Sequence, residues 1–192
     1  MNLEDKFLDL QKRREGAFMP HVYYGDPNEA FSQQLISNLC ENGADLIEFG
    51  IPFSDPTADG PTFQAACQRA LRNNITPIKC IQGIEKLRKK GLNAPIILTT
   101  YFNIIYSTGT KTFLKKIKKV DAQGILIPDL PYEEASSLLN EAKQQKIHVI
   151  FQVAPTTTDN RLQHMPEKAS GLLYIINIEG VKGLRTSMQE ST

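Results

Sequence analysis

Apolar residues along this chain follow two alternating rhythms. Short continuous apolar runs alternate with longer stretches in which apolar residues recur every three or four positions. The first rhythm predicts strands buried on both faces, and the second predicts amphipathic helices. Residues 2–11 predict a first helix, with Leu3, Phe7 and Leu10 on one face. Residues 17–24 predict a strand. Asp26 then stands as a helix cap, Pro27 suits the first helical position, and Glu29 completes a pattern resembling a capping box. That helix runs to about residue 42, where Gly43 ends it. Further strands are predicted at 45–50, 95–102, 124–129, 148–154 and 172–177. Helices are predicted at 62–73, from Thr76 and Pro77 to near Gly91, and at 110–120, 132–145 and 159–169. About six strands result, each but the last followed by a helix.

This alternation argues for a parallel sheet covered by helices. Doubly wound sheets and (β/α)8 barrels both satisfy it. Neither GxGxxG nor GxxxxGK[ST] follows the first strand, which weakens a nucleotide-binding doubly wound sheet. No linker, repeat or low-complexity segment divides the chain, and its 192 residues suffice for one domain with a sizeable core.

Charge narrows the picture little further. Twenty-two basic residues nearly balance 21 acidic ones, for a net charge of +1, so nothing suggests a nucleic-acid or membrane surface. The basic run KTFLKKIKKV carries Phe113, Leu114, Ile117 and Val120 at helical spacing, which predicts a solvated helix face. Cys40, Cys67 and Cys80 are odd in number and lack CxxC spacing, and residues 2–15 are too charged for a secretory leader. Free thiols in a cytoplasmic protein are the expectation. His21, His148 and His164 are scattered, so a metal cluster is not expected.

The candidate chemistry lies at residues 48–61, EFGIPFSDPTADGP. Glu48 closes an apolar strand, and a Gly-, Pro- and Asp-rich loop carrying Asp55 and Asp59 follows. That is the C-terminal mouth of a parallel sheet, where α/β folds bind ligands. On the strand, Leu46, Glu48 and Gly50 share one face, while Asp45, Ile47 and Phe49 share the other. In a barrel, Ile47 and Phe49 would pack under helices and Glu48 would point into the mouth. A carboxyl held there is partly desolvated, which favours its neutral form and suits proton exchange near neutral pH. The competing expectation is an ion pair with a buried Lys or Arg. Asp59, taken alone before Gly60, reads as a turn residue.

The segment GADLIEFGIPFSDPTADGPTFQ resembles the signature of the tryptophan synthase alpha chain family. GAFMPHVYYGDP resembles that family's first strand and turn. Tyr101 to Asn103 matches its Y-x-N, PDLPYEE the segment after strand four, APTT the end of strand five, and GVKG the glycine loop after strand six. The likeness covers essentially the whole chain.

The resemblance implies an α/β fold of the TIM (β/α)8 type, here with about six of eight strands, as one incomplete barrel domain over 1–192. Residues 1–15 would hold the N-terminal helix, and 178–192 a mobile loop and tail. It implies a lyase of tryptophan biosynthesis that cleaves indole-3-glycerol phosphate to indole and glyceraldehyde 3-phosphate. Glu48 would be the main acid/base, and Asp59 would accept the indole N–H. Tyr101, Leu126 and Tyr174 would line the indole pocket, with Gly180 and Gly183 near the substrate phosphate; core packing is the competing role for the first three. Pro52, Asp55, Pro56, Asn103, Tyr106, Asp129, Pro131, Glu133 and Glu134 would face a tryptophan synthase beta chain in an alpha2beta2 complex. No cofactor or metal is expected in this subunit, pyridoxal phosphate belonging to the beta partner.

The sequence also departs from the family pattern. It ends after strand six and a polar tail, RTSMQEST, without the two strands that complete the barrel and hold the phosphate, so weak activity alone is expected. Lys182 stands where Thr is usual and Asn177 where Ser is usual. His21 and Tyr23 replace an aromatic residue and Thr, and Thr99 replaces an apolar residue. An alternative expectation is therefore an impaired or non-catalytic alpha-like subunit that binds and modulates a beta chain. Another phosphate-sugar TIM barrel would explain the alternation of elements but not the joint presence of Glu48, FSDP and ADGP.

Overall fold

A computed structural model of the chain describes residues 2–176. Its strands are β1 (His21–Tyr23), β2 (Ile47–Gly50), β3 (Ile96–Thr99), β4 (Gly124–Leu126), β5 (His148–Val153) and β6 (Leu173–Ile175). Each pairs in parallel with the next, in the order β1-β2-β3-β4-β5-β6. A doubly wound sheet would reverse its strand order at a switch point. The unbroken order is that of a (β/α)8 barrel, of which six strands are described. Among the described residues β1 pairs only with β2, and β6 only with β5.

The helices are α1 (Leu3–Arg13), α2 (Glu29–Glu41), α3 (Pro61–Arg72), α4 (Pro77–Lys89), α5 (Phe102–Thr108), α6 (Thr110–Lys119), α7 (Ser136–Gln145) and α8 (Asp159–Lys168). Strand parity sorts the apolar residues into two layers. Ile47, Phe49, Ile96 and Leu98 turn outward and join Ile84, Leu87 and Phe113 from the helices in the larger core. Leu46, Ile97, Leu126 and Ile150 turn inward and form a second cluster with Leu3 of α1. Lys6 of α1 binds Asp45 at 3.3 Å and Glu4 pairs with His148 at 3.2 Å, so α1 floors the sheet at the N-terminal ends of its strands. The predicted solvated face of α6 is present: Phe113, Leu114 and Ile117 are buried and its lysines are exposed.

Several element boundaries differ from the sequence expectations, for tertiary reasons. Asn28, not Asp26, caps α2, its side chain accepting from Phe31 N at 2.9 Å. Asp26 is instead gripped through both oxygens by Arg69, at 2.6 and 2.8 Å. Asn and Asp are equally good caps, so the competing ion pair decides. The third strand stops at Thr99, and Phe102 opens α5 because its N–H reaches the Asp129 carboxylate at 2.9 Å, a contact from the next loop. Residues 132–135 are turn rather than helix, with Tyr132 buried edge-on against Phe151. Asn177 and the predicted tail at 178–192 lie outside the described residues.

The inner apolar layer generates a stability prediction. Ile97 is fully buried on the inner face, so Ile97→Ala is expected to cost about 2–5 kcal/mol in urea unfolding. Leu8→Ala, at a position 54% exposed, is expected to shift stability by no more than about 0.5 kcal/mol.

Candidate functional site

Register brings six residues of β1, β2 and β3 onto the inner face near the mouth. His21 stands opposite Glu48, which stands opposite Ile97; Tyr23 stands opposite Gly50, which stands opposite Thr99. Gly50 is needed for space. A Cβ there would lie 2.6 Å from Tyr23 Cδ1 and 2.7 Å from His21 Nε2, so the two rings occupy the room a side chain would take. Glu48 is 2% exposed and turned inward. Thr99 Oγ1 donates to its Oε1 at 2.7 Å, and His21 Nδ1 lies 3.2 Å from the same oxygen. Among the described residues no Lys or Arg pairs with it, so the simple buried ion pair is not what forms.

Asp59 closes a turn, its N–H donating to the Pro56 carbonyl at 3.0 Å, but its side chain does more than turn the chain. It is 1% exposed, and its Oδ2 accepts from Tyr23 Oη at 2.5 Å, with Tyr101 Oη at 3.3 Å. Tyr101 also accepts from Ala58 N at 3.0 Å and stacks on Phe53 with ring centroids 5.1 Å apart. It therefore pins the loop over residues 51–60 to the end of β3. Gln64 of α3 donates to the Asp59 carbonyl at 2.8 Å. His21 and Tyr23, which hold the two acids, sit 4.7 Å apart between ring centroids, and His21 stacks on Phe63 at 5.0 Å. Tyr174 on β6 is pushed up to about 12, first by burial and then by the charges of Glu48 and Asp59. It feels both acids and packs on the inner cluster that contains Leu126. Glu48, Asp59, Tyr101, Leu126 and Tyr174 are thus brought to one face of the sheet. Gly180 and Gly183, like Lys182, lie outside the described residues.

Sequence reasoning marked His21, Tyr23 and Thr99 only as departures from a family pattern. The structure makes them the residues that touch the acids. Strand parity could have found them, since His21 and Tyr23 share a face of β1. Of the loop residues expected to face another chain, Asp55, Asn103, Tyr106, Asp129, Pro131, Glu133 and Glu134 are exposed. Pro52 and Pro56 are buried. Glu133 is already paired with Arg161 at 2.7 and 3.0 Å.

A concavity of about 880 Å³ lies at the opposite end, lined by Gln123, His148, Lys118, Lys143 and Lys146. Its lysines stand at the ends of α6 and α7, where cations complement helix C-termini. It is remote from both acids, and the chemistry belongs to the mouth. There, one carboxyl can exchange a proton with a ligand, and a second can hold a fixed anion beside it. Among the described residues no group of three or more His, Cys, Asp or Glu could hold a metal ion, and no helix is long and apolar enough to cross a membrane.

The sequence profile of the tryptophan synthase alpha chain matches residues 7–192. The tryptophan synthase alpha chain of Methanocaldococcus jannaschii is 43% identical over 192 residues, covering 100% of this chain and 68% of that relative. That of Gloeobacter violaceus is 42% identical over 185 residues, covering 96% and 67%. Among solved structures, tryptophan synthase subunit alpha of Legionella pneumophila superposes with a TM-score of 0.88 at 32% identity, over 92% of this chain and 68% of its own. Tryptophan synthase of Mycobacterium tuberculosis gives a TM-score of 0.90 at 29% identity, over 96% and 71%. The chain spans about two thirds of the length of the relatives it matches.

The tyrosines around the site generate a pH prediction. Burial, and then Asp59, holds Tyr23 and Tyr101 above the ordinary tyrosine range, and burial pushes Tyr24 up to about 12. The unfolded chain ionises its tyrosines near pH ~10, while the folded chain keeps those protons. The stability is therefore complete below about pH 10 and falls as pH rises from there toward about 12. The urea midpoint should fall over that window, and unfolding at about pH 11 should raise tyrosinate absorbance sharply. A midpoint that stays flat to about pH 12 would contradict the buried hydroxyl network.

Proposed function

The chain belongs to the tryptophan synthase alpha chain family, a family of lyases, and from that membership we propose that it carries out the retro-aldol cleavage of indole-3-glycerol phosphate, with Glu48 as acid/base and Asp59 as the fixed anion. The observation that carries this reading is the joint burial of both carboxylates on the inner face of one sheet, bound to neighbouring residues of β1. In the reaction, Glu48 delivers a proton to the indole ring carbon that bears the glycerol chain. Positive charge then builds on the ring nitrogen, whose N–H donates to Asp59. The adjacent hydroxyl gives up its proton, the carbon–carbon bond breaks, and indole and glyceraldehyde 3-phosphate leave. Protons balance, one delivered and one recovered, so a single carboxyl can serve both transfers. A buried anion is worth more to the developing cation than one in water, because the site's dielectric is lower.

The reading includes a beta-chain partner, and pyridoxal phosphate would act there, not here. Exposed Asp55, Asn103, Asp129 and the 73% exposed Tyr106 ring the mouth and support docking at that end. A cytoplasmic setting fits the three free cysteines.

Glu48→Gln is expected to lower indole release from indole-3-glycerol phosphate by about 10²–10⁴-fold, and Asp59→Asn to lower it by a similar order. Near-normal turnover by Glu48→Gln would remove the assignment. Should the unaltered chain stimulate a beta chain's serine-plus-indole reaction without releasing indole, the modulating role would replace the lyase role.

A further inference from the structure

Among the described residues Glu48 is held at one oxygen, Oε1. Thr99 from β3 and His21 from β1 both approach Oε1, at 2.7 and 3.2 Å, so the flanking strands clamp that oxygen from left and right. Among the described residues no hydrogen bond to Oε2 is formed. The imidazole is itself immobilised, stacked on Phe63 at 5.0 Å, set beside Tyr23 at 4.7 Å and seated over Gly50. We propose that His21 and Thr99 are positioning residues for Glu48, holding Oε1 so that Oε2 is the oxygen that gives and takes the proton. This deepens the lyase reading and rests on it.

The physical reason is geometric. A carboxyl that must protonate a carbon needs its O–H aimed at that carbon, and misplacement by about 1 Å is costly. A free glutamate has two equivalent oxygens and several rotamers. The Thr99 hydroxyl donating to Oε1, with His21 Nδ1 3.2 Å from the same atom, makes the oxygens inequivalent and fixes the rotamer. When Glu48 carries its proton, the proton resides on Oε2, because the Thr99 hydroxyl already donates to Oε1 and His21 stands against it. A hydrogen bond from the ring requires a proton on Nδ1, so His21 is either the Nδ1–H tautomer or the imidazolium.

The test uses the full chain. His21→Phe keeps the ring stacked on Phe63 and removes the donor. His21→Asn keeps a donor near the Nδ1 position, and Thr99→Val removes the hydroxyl with little change of shape. In indole release, kcat should fall about tenfold to a hundredfold for His21→Phe and for Thr99→Val, with KM within about threefold of the unaltered chain. His21→Asn should recover most of the loss. Nitrogen-15 spectra of the unaltered chain should show His21 protonated at Nδ1, a readout independent of turnover. An unprotonated Nδ1 overturns the proposal whatever the rates. So does unchanged kcat in both His21→Phe and Thr99→Val, or a rise in KM alone, which would make them substrate contacts. Loss of activity in Glu48→Gln alongside unaffected His21→Phe and Thr99→Val would sink this inference and leave the lyase reading intact. Near-normal turnover by Glu48→Gln would sink the lyase reading itself.

Discussion

Two carboxylates sit almost without solvent on the inner face of this sheet, and the rest of the site is arranged around supplying them with donors. Leaving a buried carboxylate without partners costs several kcal/mol, so donors must come from nearby. Strand β1 reaches both acids: Tyr23 donates to Asp59, and His21 Nδ1 lies 3.2 Å from Glu48. Both depend on a single absence of side chain at Gly50, because any Cβ there would drive into both rings. Register is thereby tied to chemistry. A slip of one residue between β1 and β2 would send His21 and Tyr23 outward and strand both acids among apolar neighbours.

The same parity separates what stabilises the fold from what does the chemistry. On the inner face Leu46, Ile97, Leu126 and Ile150 form an apolar cluster with Leu3 of α1. The polar inner residues stand among them, Glu48 opposite Ile97 and Thr99 opposite Leu126. The apolar floor keeps the carboxylates dry from below. The loop over residues 51–60, pinned by Tyr101, covers them from the side.

How much of this was legible in the sequence depended on range. Strand and helix order, the inward face of Glu48 and the wet face of α6 all follow from period alone, and all three appear. Asp26 misled because a cap preference is local, while its partner Arg69 lies on another helix. The start of α5 was hidden because Asp129, from a later loop, satisfies its first N–H group. The burial of Pro52 and Pro56 was equally invisible, since a Pro-rich stretch normally signals an exposed turn. The role of Tyr101 needed the path of a loop that no periodicity describes. It binds Asp59 as well as standing in the expected pocket.

His21, Tyr23 and Thr99 carry a further lesson, because each departs from the family pattern and each touches a buried acid. Introduced one at a time, they would be awkward. A tyrosine hydroxyl or a threonine hydroxyl buried without a partner loses hydrogen bonds to water and regains nothing. Placed against carboxylates that are there already, each gains a charge-assisted bond instead. His21 and Tyr23 also share the space over Gly50 and contact each other's rings, so neither can change size without moving the other. Residues in one such network contribute jointly, and the effect of replacing one depends on which others remain. The polar dressing of this mouth is thus one unit of structure, selected by the two acids it surrounds.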